Sequence, residues 1–144
     1  MLYRAQPKVL GQCADVIDVV APGSHKANCF TKSYTQYAKG TGSFLCMLDT
    51  AGLAAHQLYI TDKGNLAHQD PDVTKEQLAS LWQQLGLRYF TAREAANLHG
   101  FPPSFSFPDS VTLRQRYQLI GNSLSVAVVA DLLKYLFAEQ AAPS

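Results

Sequence analysis

Arg88-Tyr89-Phe90-Thr91-Ala92-Arg93-Glu94-Ala95-Ala96-Asn97-Leu98-His99-Gly100-Phe101-Pro102 is the stretch on which the reading of this chain turns. Thr91 followed by Glu94 is a capping box, in which the hydroxyl accepts from the Glu94 amide and the carboxylate reaches back to the Thr91 amide. A helix is therefore expected from Ala92. Gly100 and the prolines behind it stop that helix, because proline can neither donate the next hydrogen bond nor continue the backbone. Leu87 to Phe90, ahead of the box, reads as a short extended segment. Phe101, Phe105 and Phe107, set among prolines, predict a rigid loop pinned by aromatic anchors.

Toward the C-terminus, Thr112 is placed to cap a short helix through Ile120, and Gly121-Asn122-Ser123 breaks the chain sharply. A last helix is expected from about Ser123 to Gln140. Leu124, Val126, Val128, Val129, Leu132, Leu133, Tyr135, Leu136 and Phe137 leave it almost no polar face. A helix apolar all round belongs inside a larger protein. Each Leu or Val buried contributes about 1.5–3 kcal/mol, so several left bare favour association. Part of the fold is expected to be missing, and residues 141–144 form a frayed end.

Toward the N-terminus, Val16 to Val20 reads as a strand closed by Pro22-Gly23. Cys29 to Ser43 mixes aromatics, lysines, hydroxyls and glycines without a period, and reads as an ordered loop or short-helix region. Phe44 to Leu48 and Gln57 to Thr61 are candidate strands, and Asp62-Lys63-Gly64-Asn65 is a turn. Asp72 or Thr74 is placed to cap a helix running to Leu85 and ended by Gly86. Leu78, Leu81, Trp82 and Leu85 share one face of it, and Trp82 is expected in the core.

The composition bounds the function. With 144 residues, 47% of them apolar, and a net charge of +1, the chain can fold around a core and is not a strongly basic nucleic-acid-binding domain. Any such binding needs a local patch. Cys13, Cys29 and Cys46 are odd in number and widely spaced, and His25, His56, His68 and His99 lie apart from them. Neither a disulfide framework nor a metal site follows. No signal peptide is read at Met1-Leu2-Tyr3-Arg4, and no stretch approaches the ~20 apolar residues of a membrane span. A cytoplasmic or nuclear protein is expected.

Three stretches together resemble the end of a cytosine-5 methyltransferase. Arg88 to Pro102 is similar to the ninth motif of that family, R-x-x-T-x-R-E-x-x-x-L-x-G-F-P, at every fixed position. Gln115-Arg116-Tyr117-Gln118-Leu119-Ile120-Gly121-Asn122-Ser123-Leu124-Ser125-Val126 is similar to the tenth. Cys29-Phe30-Thr31-Lys32, with Tyr34, Tyr37 and Gly40-Thr41-Gly42-Ser43, resembles the recognition segment of the transfer-RNA aspartate methyltransferase branch. Residues 1–12 and 46–85 carry nothing diagnostic. The resemblance implies an α/β fold. Residues 1–87 would form a small target-recognition region, and residues 88–144 would return to an incomplete Rossmann-like domain that uses S-adenosylmethionine.

In that family a Cys thiolate following a proline adds to C6 of cytosine, a Glu of a Glu-Asn-Val motif contacts N3, an R-x-R pair steadies the base, and a Gly-rich loop holds the cofactor. This chain has none of them. Its cysteines follow Gln12, Asn28 and Leu45, no Glu-Asn-Val occurs, and Gly40-Thr41-Gly42 lacks the strand-before, helix-after setting of a nucleotide loop. Arg114-Gln115-Arg116 lies within the approach to the tenth motif and does not resemble the base clamp. No catalytic residue is therefore assigned, and Cys29 is read as a structural or RNA-proximal thiol. The chain is not expected to methylate alone.

The resemblance implies that Asn122, Ser123 and Leu124 lie at the methionine end of S-adenosylmethionine in the complete enzyme. The same residues also suit plain helix capping, and independent cofactor binding is not expected. Lys26, Cys29, Phe30, Thr31, Lys32, Tyr34, Tyr37 and Lys39 are the candidate nucleic-acid contacts, with lysines on phosphates and aromatics on unstacked bases. A solvated lysine face over a small aromatic core is the equal alternative. Arg88, Thr91, Arg93, Glu94, Gly100, Phe101 and Pro102 are read as structural, with Arg93 on backbone carbonyls and His99 as a satisfied helix-end histidine. The implied partners are the anticodon loop of a transfer RNA and a missing N-terminal catalytic half. A non-catalytic nucleic-acid-binding protein that keeps the recognition region, or part of a DNA-directed relative, are the rival readings.

Overall fold

The computed structural model describes residues 3–13, 16–47, 80 and 82–140. In chain order these form helix α1 (Pro7–Cys13), strands β1 (Val19–Val20), β2 (Phe44–Leu45) and β3 (Arg88–Tyr89), and helices α2 (Ala92–Leu98), α3 (Leu113–Gly121) and α4 (Val126–Gln140). The strands make one small sheet in the order β1-β2-β3. β1 runs parallel to β2, with Val19 opposite Phe44, and β3 runs antiparallel to β2, with Tyr89 opposite Phe44. The far side of β3 is covered by the N-terminal segment, where the Tyr89 amide donates to the Tyr3 carbonyl at 2.7 Å and the Ala5 amide to the Leu87 carbonyl at 3.0 Å.

Two apolar clusters fill the space on either side of this sheet. One gathers Leu10, Phe44, Cys46, Trp82, Leu85 and Leu87. The other joins Phe30, Tyr34 and Leu45 to Phe90, Ala95, Ala96, Tyr117 and Ile120. Ala95 and Ala96 are fully buried, and their small side chains let α2 lie closely on α3. α2 and α3 each begin with a complete capping box, Thr91 with Glu94 and Thr112 with Gln115, so both starts are fixed by local chemistry.

The mixed α/β character expected from the sequence is present, with differences of extent. β1 is confined to Val19–Val20, and Val16 is 42% exposed, outside the pairing. The last helix begins at Val126 rather than Ser123, because the Ser123 amide and hydroxyl both donate to the Ile120 carbonyl and hold residues 122–125 in a turn. α1 was not anticipated. The proposed Gln57–Thr61 strand, the Asp62–Asn65 turn and most of the helix ending at Leu85 lie outside the described residues. Ser80 and residues 82–84 are helical, and Gly86 ends that segment at φ +62.

Among the described residues, packing continues across residue 87. β3 pairs with β2, and the second cluster takes residues from both sides of that point. α4 is the exception to the packing. Leu132, Tyr135, Leu136 and Phe137 are each at least half exposed, and among the described residues no sheet covers them.

Candidate nucleic-acid interface

The segment from Asn28 to Ser43 is a series of turns tied back on itself. The Thr31 amide donates to the Thr41 carbonyl (2.9 Å), the Tyr34 amide to the Thr31 carbonyl (3.0 Å) and the Thr41 hydroxyl to the Tyr37 carbonyl (2.5 Å). At its base the Ser43 hydroxyl accepts from the Asn28 amide at 2.8 Å and donates to the Asp18 carboxylate. Gly42 sits at φ +144, and any Cβ there would fall 2.8 Å from the Tyr34 ring and 2.9 Å from the Phe30 ring. Only glycine fits.

This folding sorts the candidate contacts into two sets. Lys26, Cys29, Lys32 and Lys39 are exposed, Thr31 is half-buried, and Tyr37 is 65% exposed. Phe30 and Tyr34 turn inward, 6% and 1% exposed. They pack edge-on to one another with centroids 5.0 Å apart, and Phe30 also meets Phe90 at 5.2 Å. The expectation that these two rings meet bases is therefore corrected: their faces are used up in the core, where they shape the loop from within. Tyr37 and the four outward residues remain.

Tyr34 connects the loop to the stretch quoted at the outset. Its hydroxyl accepts from the Phe90 amide at 2.9 Å and donates to the Ser43 carbonyl at 2.7 Å. Tyr117, from α3, donates its own hydroxyl to the Phe90 carbonyl at 2.5 Å. Burial pushes both phenols well above the usual tyrosine range, so they stay protonated and remain donors. Tyr117 was not singled out from the sequence, although Leu113, Tyr117 and Ile120 at i, i+4 and i+7 mark the inner face of α3.

The ninth-motif residues are engaged with each other. Arg88 grips Glu94 through two parallel bonds of 2.8 and 2.7 Å, while the Glu94 carboxylate also accepts from the Thr91 amide at 2.8 Å. The Arg88 hydrogen bond holds Glu94 far down, at about 2, and raises Arg88 in turn. Arg93 donates to the Phe105 carbonyl and, at 3.0 Å, to the Pro102 carbonyl. Phe101 stacks against Phe105, and Gly100 takes φ +78 to turn the chain out of α2. Arg116 lies over the Phe107 ring at 5.5 Å and donates to the Val111 carbonyl. These side chains hold the 100–111 loop against the helices.

At the turn before α4, the Ser123 hydroxyl donates to the Ile120 carbonyl at 2.6 Å and lies 3.1 Å from His99 Nδ1. Burial lowers the His99 pKa, keeping the ring neutral. The Val126 amide donates to the His99 carbonyl at 2.8 Å. Ser123 is thus fully occupied within the turn. Asn122 exposes its side-chain amide, and Leu124 is 72% exposed. One amide and one apolar side chain fit a single edge of S-adenosylmethionine, and Asn122 and Leu124 would supply it. No acidic partner for the ribose hydroxyls stands beside them among the residues assigned to the cofactor.

The family model for C-5 cytosine-specific DNA methylase matches residues 21–138. A mouse protein named tRNA (cytosine(38)-C(5))-methyltransferase is 43% identical over 134 residues, covering 93% of this chain and 30% of that protein. The human protein of the same name is 44% identical over 135 residues, covering 94% and 32%. Among solved structures, a DNMT2 variant from Spodoptera frugiperda superposes with a TM-score of 0.74 at 35% identity, over 94% of this chain and 38% of that one. The DNMT2 of Schizosaccharomyces pombe gives 0.72 at 34% identity.

The fold and the paired motifs define part of an α/β methyltransferase. The chain belongs to the C-5 cytosine-specific DNA methylase family, and it spans about a third of the length of the curated relatives it matches, 30% and 32% of the mouse and human proteins.

Proposed function

We propose that this chain is the target-recognising, C-terminal part of an S-adenosylmethionine-dependent transfer-RNA (cytosine-5) methyltransferase. It supplies the RNA-binding loop and one edge of the cofactor pocket, and the nucleophile comes from a separate N-terminal portion. The observation that carries this is the loop from Cys29 to Ser43. It is locked onto α3 and Phe90 from the inside, and it presents Lys32, Lys39 and Tyr37 outward, with Lys26 exposed just ahead of it, in a chain whose relatives are named for methylating cytosine in transfer RNA. The bare apolar face of α4 and the absence of a Pro-Cys pair both favour a missing catalytic portion over a self-sufficient RNA-binding protein.

The substrate is a cytosine in a single-stranded anticodon loop, because cationic and aromatic side chains on an irregular loop suit unstacked nucleotides rather than a duplex. The test is methyl incorporation from labelled S-adenosylmethionine into transfer RNA. The chain alone should give background. The chain mixed with the separately expressed N-terminal portion of a relative, bearing the Pro-Cys and Glu-Asn-Val motifs, should give incorporation. Incorporation by the chain alone would refute the division of labour, and failure of the mixture with RNA binding intact would favour a binding protein.

A further inference from the structure

A cleft of about 460 Å³ opens on the face of the sheet, between the segment that follows β1 and the outer side of α2. That volume is within the ~300–1,000 Å³ usual for small-molecule sites. None of the candidate contacts discussed above lies in it except Lys26. Most of its exposed lining is apolar, from Pro22, Ala27, Leu98 and the exposed Met47, together with the buried Leu45 and Phe90. Met47 is held in place by Arg88, whose Nε lies 3.1 Å from the thioether sulfur.

The electrostatics of the cleft are one-sided. Glu94 is the single carboxylate among its described lining residues, and its charge is already met by both arms of Arg88. Among the described lining residues no other carboxylate faces the ammonium of Lys26 at the rim, with His25 beside it, both exposed. Across the cleft Asn97, also exposed, offers an amide that both donates and accepts. An apolar slot with a cation at its mouth and one neutral amide in its wall suits a flat, polar-edged group carrying an adjacent anion.

We infer that this cleft receives one unstacked nucleotide of the RNA, its base against the apolar side chains of Pro22, Met47 and Leu98, its edge at Asn97 and its phosphate at Lys26. The inference rests on the RNA-binding reading above and adds a position for a nucleotide outside the Cys29–Ser43 loop.

The test uses the full chain and a synthetic RNA hairpin with a single-stranded loop, substituted one position at a time with 5-iodouridine and photocrosslinked. One loop position should crosslink to Met47, His25 or Lys26. The double variant Ala27→Leu, Asn97→Leu narrows the cleft from both sides at exposed positions. It should lower affinity about tenfold and remove that crosslink, with the salt dependence unchanged. Lys26→Ala should instead flatten the salt dependence by about one phosphate contact. Tight RNA binding with no crosslink in the cleft, and no effect of the double variant, would overturn the inference and leave the RNA-binding reading intact. Crosslinks replaced by competition from the N-terminal portion of a relative would show that protein fills the cleft, again overturning it. Absence of any RNA binding would overturn both.

Discussion

Gly121 lies directly against the backbone of Lys32: a methyl group on Gly121 would overlap the Lys32 amide nitrogen and the Thr31 carbonyl carbon. The last residue of α3 is therefore the seat of the Cys29–Ser43 loop. The overlap is with backbone, which cannot swing aside as a side-chain end can. Gly121→Ala should cost about 3 kcal/mol or more of stability, at the upper end of overpacking effects. Urea unfolding measures this, and the variant should lose RNA affinity in parallel.

Tyr34 and Tyr37 are near in sequence and opposite in consequence. Tyr34→Phe leaves the buried Phe90 amide without its acceptor and should cost about 2 kcal/mol. The salt dependence of RNA binding should not change. Tyr37→Ala should leave the melting temperature within about a degree, a surface change of a few tenths of a kcal/mol. Its RNA affinity should drop about tenfold through loss of a stacking face. Equal effects of the two substitutions on stability would contradict the inward and outward assignment.

Thr35 has φ 72, a left-handed conformation that a β-branched residue adopts at a cost. Thr35→Gly removes that strain, partly offset by the greater freedom of glycine in the unfolded chain. A net gain of about 1 kcal/mol is expected by thermal melting.

Glu94 has a pKa near 2 when folded, against 4.5 when free, chiefly because of Arg88. A carboxylate with a depressed pKa contributes stability above its unfolded pKa. That contribution is lost as pH falls from about 4.5 toward 2. Discounted for solvent on its exposed side, it is about 1 kcal/mol. His99 acts in the same direction at higher pH, since burial opposes its charging and stability falls as pH drops below 6.5. Glu94→Gln should flatten the acid limb of a stability-versus-pH curve and leave the limb near 6.5 in place.

α4 presents Leu132, Tyr135, Leu136 and Phe137 to solvent. The purified chain should self-associate with concentration and bind an apolar dye. Leu132→Gln with Phe137→Gln should reduce both with little change in melting temperature, because both residues are more than half exposed. Sedimentation velocity across a concentration series decides it.

What could be read from the sequence was what depends on neighbours along the chain. Thr91 with Glu94 and Thr112 with Gln115 specify helix starts within four residues, and the excess of apolar residues in α4 announces a missing cover. The partition of the aromatics could not be read. Phe30, Tyr34 and Tyr37 sit in turns with no repeating period, so nothing local says which ring faces the core. Gly121 looked like a helix stop. Its role against Lys32 depends on residues far away in sequence brought together by the fold. Pro7–Cys13 is hard to read because the helix has only seven residues, Gly11 weakens it, and its inner face is no more than Leu10 with the half-buried Val9 and Cys13.

Phe90 has its amide on a phenol from the loop and its carbonyl on a phenol from α3. For anyone building chimaeras between members of this family, that makes the loop and the helix one heritable unit. A graft that exchanges residues 29–43 alone must bring a phenol to the Phe90 amide and the same backbone path against Gly121. The transplantable piece runs on through Gly121, and a change of RNA preference is best sought by exchanging that whole block.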